Sequence, residues 1–179
     1  SGKHAVEVVL REMGYEFSAE QIERIMGRIK ELADKQKQVM KEDIIAIAND
    51  VAGALTKEER IITLEEINVN TGNKVRPTAI VKLNIRGEIK TGKGEGVGPV
   101  DAVCNAIRSI VEPSVILKEY SLKAITGGTD ALADVSIKVE DNNKNVFRAE
   151  AVDEDVIMAS TKAFIQGINK ALNFKKGTI

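Results

Sequence analysis

Tryptophan is absent from this chain of 179 residues, and other aromatics are few, four Phe and two Tyr. Charge of one sign is also lacking, with 26 basic residues set against 27 acidic ones. A surface that reads nucleic acid needs a basic patch and usually stacking rings, and one that adheres to an anionic membrane needs the basic patch, so neither partner is expected. The single cysteine, Cys104, has no second thiol to pair with, and the single histidine, His4, leaves no His/Cys cluster for a metal. Cys104 reads as a small residue beside a helix's apolar face, with no basic neighbour in sequence to activate it. No apolar run approaches the roughly 18 residues of a spanning helix, and the amino terminus lacks the charged-then-apolar layout of a secretion signal. The expected location is cytoplasmic.

What is present is 43% hydrophobic content, enough for one good core or two small ones. Residues 1–55 read as a helical subdomain. "HAVEVVLREMG" forms a short helix stopped by Gly14, and "KEDIIAIANDVAG" forms another stopped by Gly53. Between them Ser18 and Gln21 make a capping-box pattern ahead of Ile22, Ile25, Met26, Ile29, Leu32 and Ala33, one apolar stripe at steps of three and four. Three short helices make a poor core and need another surface to pack on. After "TKEER" the period changes to two: Val81, Leu83 and Ile85 alternate with polar residues, as do Val135, Ile137 and Val139. "LEEINV" at Leu64 aligns with "LKEYSL" at Leu117, and "AVCNAI" at Ala102 with "ASTKAF" at Ala159, in the same order along the chain. The pattern gives two copies of strand, strand, strand, helix, over 60–111 and 115–172. Strands are expected near Arg60–Val69, Thr78–Arg86 and Glu88–Lys93, with a helix over Pro99–Val111; then near Val115–Ile125, Leu132–Glu140 and Val146–Ala151, with a helix over Asp155–Leu172. The fold class is α+β, a short helical subdomain followed by two pseudo-twofold-related βββα units.

"GKGEGVGPVDA" sets glycines at 92, 94, 96 and 98 before Pro99. It fits neither the Walker A spacing nor the dinucleotide fingerprint. Gly98 at the cap and Pro99 at the first helical position leave a helix start whose N–H groups can receive a carboxylate, with Asp101 near enough to meet an ammonium. The plainer alternatives are that the glycines turn the chain and Asp101 offsets the helix dipole. "AITGGTDA" is most simply a turn. Tyr120, standing where the first copy has Ile67, is most simply a core residue with a hydroxyl to satisfy.

"GVGPVDA", "LKEYSLKAITGGTDALADV" and "DVIMAS", with "SGKHA" at the amino end, resemble the carboxy-terminal region of the 2-isopropylmalate synthase and citramalate synthase family over essentially the whole chain. The resemblance implies a helical linker over 1–55 and a regulatory, dimerising domain over 60–179 that binds the end-product amino acid, leucine or isoleucine. It implies a parent acyltransferase condensing acetyl-CoA with a 2-oxo acid in a barrel elsewhere in the same chain, where a divalent metal is held. This fragment would carry no catalytic or metal-binding residue and no cofactor, would be inactive alone, and would form a homodimer. Carried over position by position, the effector pocket comprises Gly98, Val100 and Asp101 at the first helix start, and Leu117, Tyr120 and Ala124 on the strand. Thr129 and Ala133 follow after the turn, and Glu154 and Val156 stand at the second helix start.

This sequence departs from the family at that second start. It reads "AVDED" where a neutral Gly-x-Ser-Thr-Asp is common, which places the ligand's carboxylate at Gly98 and its ammonium toward Asp153 and Glu154. A leucine-sensing domain is the first reading. A citramalate synthase domain sensing isoleucine and a purely structural dimerisation module are the alternatives.

Overall fold

The computed structural model describes residues 2–35, 38–112 and 114–175; Ser1 of "SGKHA" lies outside the described residues. In chain order the elements are α1 (Lys3–Glu12), α2 (Ala19–Lys35), α3 (Lys41–Ala52), β1 (Ile62–Asn70), β2 (Thr78–Ile85), β3 (Glu88–Glu95), α4 (Pro99–Arg108), β4 (Ile116–Ala124), β5 (Ala133–Glu140), β6 (Val146–Asp153) and α5 (Val156–Lys175). The fold is α+β, and the two βββα copies follow the helices as the repeat requires. β6 runs two residues past its expected end at Ala151, and α5 begins one residue after Asp155.

The chain divides into two compact units. One comprises Ser1–Ala54, Leu122–Asp134 and Val152–Val156. Its core is Val6, Val9 and Leu10 of α1, Ile25 and Leu32 of α2, and Ile44, Ile47, Ala48 and Val51 of α3, joined by Leu132 and Val152 from later in the chain. The surface that three short helices need is thus supplied in part by the second copy's strand ends; a buried Leu or Val contributes about 1.5–3 kcal/mol. Polar bonds fix the same join. Arg28 pairs with Asp50 and donates from Nη2 to the Val152 carbonyl at 2.7 Å, and the Val152 N–H donates to Asp50 at 3.3 Å. The start of α2 is held as its sequence implies: the Ser18 N–H donates to Gln21 Oε1 at 2.9 Å and the Gln21 N–H to Ser18 Oγ at 3.1 Å. Gly14 ends α1 in the left-handed region at φ 76°, whereas Gly53 ends α3 in ordinary right-handed geometry at φ −86°.

The other unit comprises Leu55–Ser121, Val135–Ala151 and Ile157–Ile179. Here β1, β2 and β3 form an antiparallel meander in that order. Ile85 faces Glu88 across a two-residue turn, in which Arg86 and Gly87 both take positive φ, 53° and 89°, the twist that matches paired strands. Val81 and Leu83 are fully buried, while Lys82 on the opposite face pairs with Glu66 at 2.9 Å.

The alternating glycines belong to this packing. A Cβ at Gly92 or Gly94 would fall inside contact distance of the Ala106 main chain, and one at Gly94 would also lie 2.7 Å from the Ala102 carbonyl oxygen. A Cβ at Gly96 would lie 2.5 Å from the Ala102 nitrogen. Three glycines therefore let α4 rest directly on β3 with Ala102 and Ala106 at 0% exposure. Gly98 differs: its backbone is extended at φ −146° and a Cβ there meets nothing within 4 Å.

α5 fastens to the first sheet through a side chain. The Asn169 amide pairs with both main-chain groups of Ile62, accepting from N–H at 2.8 Å and donating to the carbonyl at 2.9 Å. Four residues on, Asn173 donates to the Glu59 carbonyl at 2.7 Å. The second sheet has the order β4-β5-β6. Val135, Ile137 and Val139 are buried, and Gly167 of α5 lies close on Val139, where a Cβ would be 3.0 Å from Cγ2.

Candidate functional site

The start of α4 shows how much of the glycine segment is local structure. Gly98 is the N-cap and Pro99 the first helical residue. Asp101 reaches back so that its Oδ2 accepts the Val97 N–H at 2.9 Å. One oxygen of Asp101 thereby fixes the helix entry, and the other has no hydrogen-bond partner among the described residues.

Beside α4 lies a hollow of about 370 Å³. It is lined by Val100, Asp101, Cys104, Asn105 and Arg108 of α4, Ile116, Leu117 and Tyr120 of β4, and Phe164 of α5. The α4 residues fall at steps of three and four and form one stripe. Phe164 is 1% exposed and supplies a rigid apolar wall. Asn105 is turned to the Glu95 carbonyl, to which its Nδ2 donates at 2.7 Å. Arg108 donates from Nε to Ser114 Oγ at 3.4 Å.

Asp101 and Arg108 stand seven residues apart, roughly 10 Å along the helix axis. An α-amino acid carries both charges on one carbon, so it can meet one of these poles and lay its side chain over the apolar lining between them. The Asp101 pole suits an ammonium, and the Arg108 pole a carboxylate.

Burial pushes the Cys104 thiol up to about 12, Asp101 adds to the effect, and Arg108 one turn on opposes it without prevailing. The expectation that no basic neighbour stands near Cys104 is corrected by Arg108, yet the thiol remains protonated and inert. Among the described residues no three His, Cys, Asp or Glu side chains are grouped to hold a metal.

Of the positions implied by the resemblance, Val100, Asp101, Leu117 and Tyr120 line this hollow. Gly98 caps α4 without lining it. Ala124, Thr129, Ala133, Glu154 and Val156 fall in the unit that holds the three amino-terminal helices. There Ala124 ends β4, Thr129 lies between β4 and β5, Ala133 begins β5 and is buried, and Val156 begins α5 and is exposed. Glu154 pairs with Lys35 at 3.9 Å, and Asp153 accepts the Asp155 N–H at 2.9 Å, so both acids of the second helix start have partners within the chain.

Tyr120 is not a core residue. It is 39% exposed, and its hydroxyl is 2.6 Å from Ser160 Oγ. Cys104, Asn105, Arg108, Ile116 and Phe164 were not among the implied positions, although helical spacing from Asp101 marks the first three.

A second hollow, about 590 Å³, opens on the β4-β5-β6 sheet of the same unit and is lined mainly by charged and hydroxyl side chains, among them Lys138, Arg148 and Lys170. Tyr120 is the implied position that it includes.

Residues 38–172 match the profile of a family described as the LeuA allosteric (dimerisation) domain. The chain is 48% identical to a probable 2-isopropylmalate synthase of Methanopyrus kandleri, an alignment covering 95% of this chain and 35% of that protein. It is 46% identical to a 2-isopropylmalate synthase of Methanocaldococcus jannaschii, over 96% of this chain and 34% of the relative. It is also 42% identical to a putative (R)-citramalate synthase CimA of Archaeoglobus fulgidus, over 94% and 35% respectively. The chain thus spans about a third of the length of the curated relatives it matches.

Proposed function

Since the chain belongs to the LeuA allosteric (dimerisation) domain family, we propose that it is the regulatory region of an acyltransferase that condenses acetyl-CoA with a 2-oxo acid, and that it binds leucine as feedback effector in the hollow beside α4. The observation that carries this reading is the lining itself. Val100, Asp101, Leu117 and Tyr120, named by resemblance, come together around an apolar floor with one carboxylate oxygen of Asp101 lacking a hydrogen-bond partner among the described residues. The ammonium meets Asp101 and the aliphatic side chain lies against Leu117 and Phe164. Effector binding then favours one arrangement of the regulatory region over another, which is the form feedback takes. The catalytic barrel, its divalent metal and the acetyl-CoA chemistry belong to the rest of the parent chain, and this region alone turns over no acetyl-CoA.

Self-association is part of the proposal. β4 is an edge strand exposed along nearly its whole length, with Ile116, Tyr120 and Leu122 carrying apolar surface into solvent, and an edge of that kind calls for a partner.

The test is calorimetric titration of the chain with leucine, isoleucine and valine, backed by thermal unfolding. Leucine at 100 times its dissociation constant adds about 2.7 kcal/mol of stability. A stronger response to isoleucine favours the citramalate synthase reading, which the similarity to the Archaeoglobus fulgidus protein supports. No response to any of the three leaves a dimerisation module and overturns the effector proposal.

A further inference from the structure

Tyr120 lines both of the hollows described above, the apolar one beside α4 and the polar one on the second sheet. Its hydroxyl reaches α5, so its ring lies on the α5 side of the sheet, where it borders the apolar hollow. A tyrosine that is 39% exposed on an edge strand has more than one staggered rotamer open to it, and packing alone does not choose among them. The group that chooses is Ser160 on α5, which is 3% exposed and whose Oγ lies 2.6 Å from the Tyr120 hydroxyl. Either hydroxyl can be the donor in that bond.

We infer that Ser160 is a positioning residue for the effector site: its hydroxyl fixes the Tyr120 ring as the β4 wall of the apolar hollow and so sets the size of side chain that this hollow accepts. Ser160 lines neither hollow and acts through Tyr120. With the bond in place the apolar hollow is closed on its β4 side and suits a short aliphatic side chain. With the bond lost the ring swings, and the hollow admits larger side chains while holding small ones less well. The affinity part of this inference rests on the proposed effector function; the ring-position part does not.

The absence of tryptophan makes the test direct. Tyr15 and Tyr120 are the two tyrosines, so in a Tyr15→Phe background the intrinsic emission reports on Tyr120. Ser160→Ala keeps a small, helix-favouring residue in α5. It is expected to lower the emission anisotropy of Tyr120 and to raise its quenching by acrylamide, with the unfolding midpoint little changed. By calorimetry it is expected to weaken leucine binding roughly three- to tenfold, the loss of one neutral hydrogen bond, and to narrow the preference for leucine over phenylalanine. Tyr120→Phe removes the same bond from its other end, so the double variant should bind leucine no more weakly than the weaker of the two single variants. Unchanged anisotropy and quenching in folded Ser160→Ala would overturn the inference, as would losses that simply add in the double variant. If the parent chain binds none of leucine, isoleucine and valine, the effector proposal falls, and the emission measurements still decide whether Ser160 holds the ring.

Discussion

At the scale of single residues, two carboxylates illustrate how burial and partners divide roles between similar groups. Asp101 is half engaged. Asp101→Asn keeps an acceptor for the Val97 N–H, so the fold loses only the dipole term, about 0.3–1 kcal/mol. On the proposed binding mode the ammonium contact, being charge-assisted, should lose about 1.4 kcal/mol or more, a tenfold weaker affinity for leucine, measured by calorimetry beside urea unfolding. Asp43 is 0% exposed; its Oδ2 accepts the Met40 N–H at 2.9 Å while Oδ1 has no partner among the described residues. Burial holds its pKa above the ordinary 3.8, against the lowering effect of the Met40 N–H, and Glu42 and Asp130 raise it further. A folded value above the unfolded one means that folding disfavours the ionised form. The contribution of Asp43 is thus full below the ordinary aspartate range and is lost as pH rises through the folded value. Asp43→Asn, which cannot ionise, should be more stable than the parent at neutral pH and lose that advantage near pH 3, by urea unfolding at both.

At the scale of elements, the contact between α4 and β3 separates the glycines that matter from the one that does not. Gly94→Ala forces a methyl group against the Ala106 and Ala102 main chain and should lower stability by about 1–3 kcal/mol. Gly98→Ser meets open space and adds a side-chain cap, so it should raise stability by a few tenths of a kcal/mol. The Asn169 amide acts as a one-residue strand for Ile62. Asn169→Leu strands a buried N–H and a buried carbonyl, each at a cost of about 1–3 kcal/mol, read from urea midpoints. Periodicity made the elements legible, since Val81, Leu83 and Ile85 can alternate only on a strand and the Ser18–Gln21 box can stand only at a helix start. The glycines were legible as a feature and not in purpose, because close approach of two main chains leaves no mark beyond the missing side chains. Asn169 carried no signal, for its partner stands 107 residues away.

At the scale of the molecule, the proposed effector pocket is legible only as far as one unit. Val100, Asp101, Leu117 and Tyr120 share a hollow, while Ala124, Thr129, Ala133, Glu154 and Val156 belong to the unit built on the three helices. A linear split of the chain near residue 55 does not anticipate that assignment, because Leu132 and Val152 complete the helical core from within the repeat. The apolar surface of β4 leads to an expectation for the whole chain. It should sediment as a dimer at micromolar concentration, and Leu122→Lys, which places a charge on a side chain now 49% exposed, should shift it toward monomer without unfolding it.

The seating of α4 on Gly92, Gly94 and Gly96 also bears on how this region can change over generations. Where a large residue collides with a neighbouring side chain, a second mutation that trims the neighbour restores the fit. Here the atoms in the way are mainly the nitrogen and carbonyl oxygens of Ala102 and Ala106, which every amino acid possesses. A harmful substitution at Gly94 has no intragenic suppressor among the side chains of α4. Selection on this segment can therefore act only by keeping the glycine or by rebuilding the helix's whole approach.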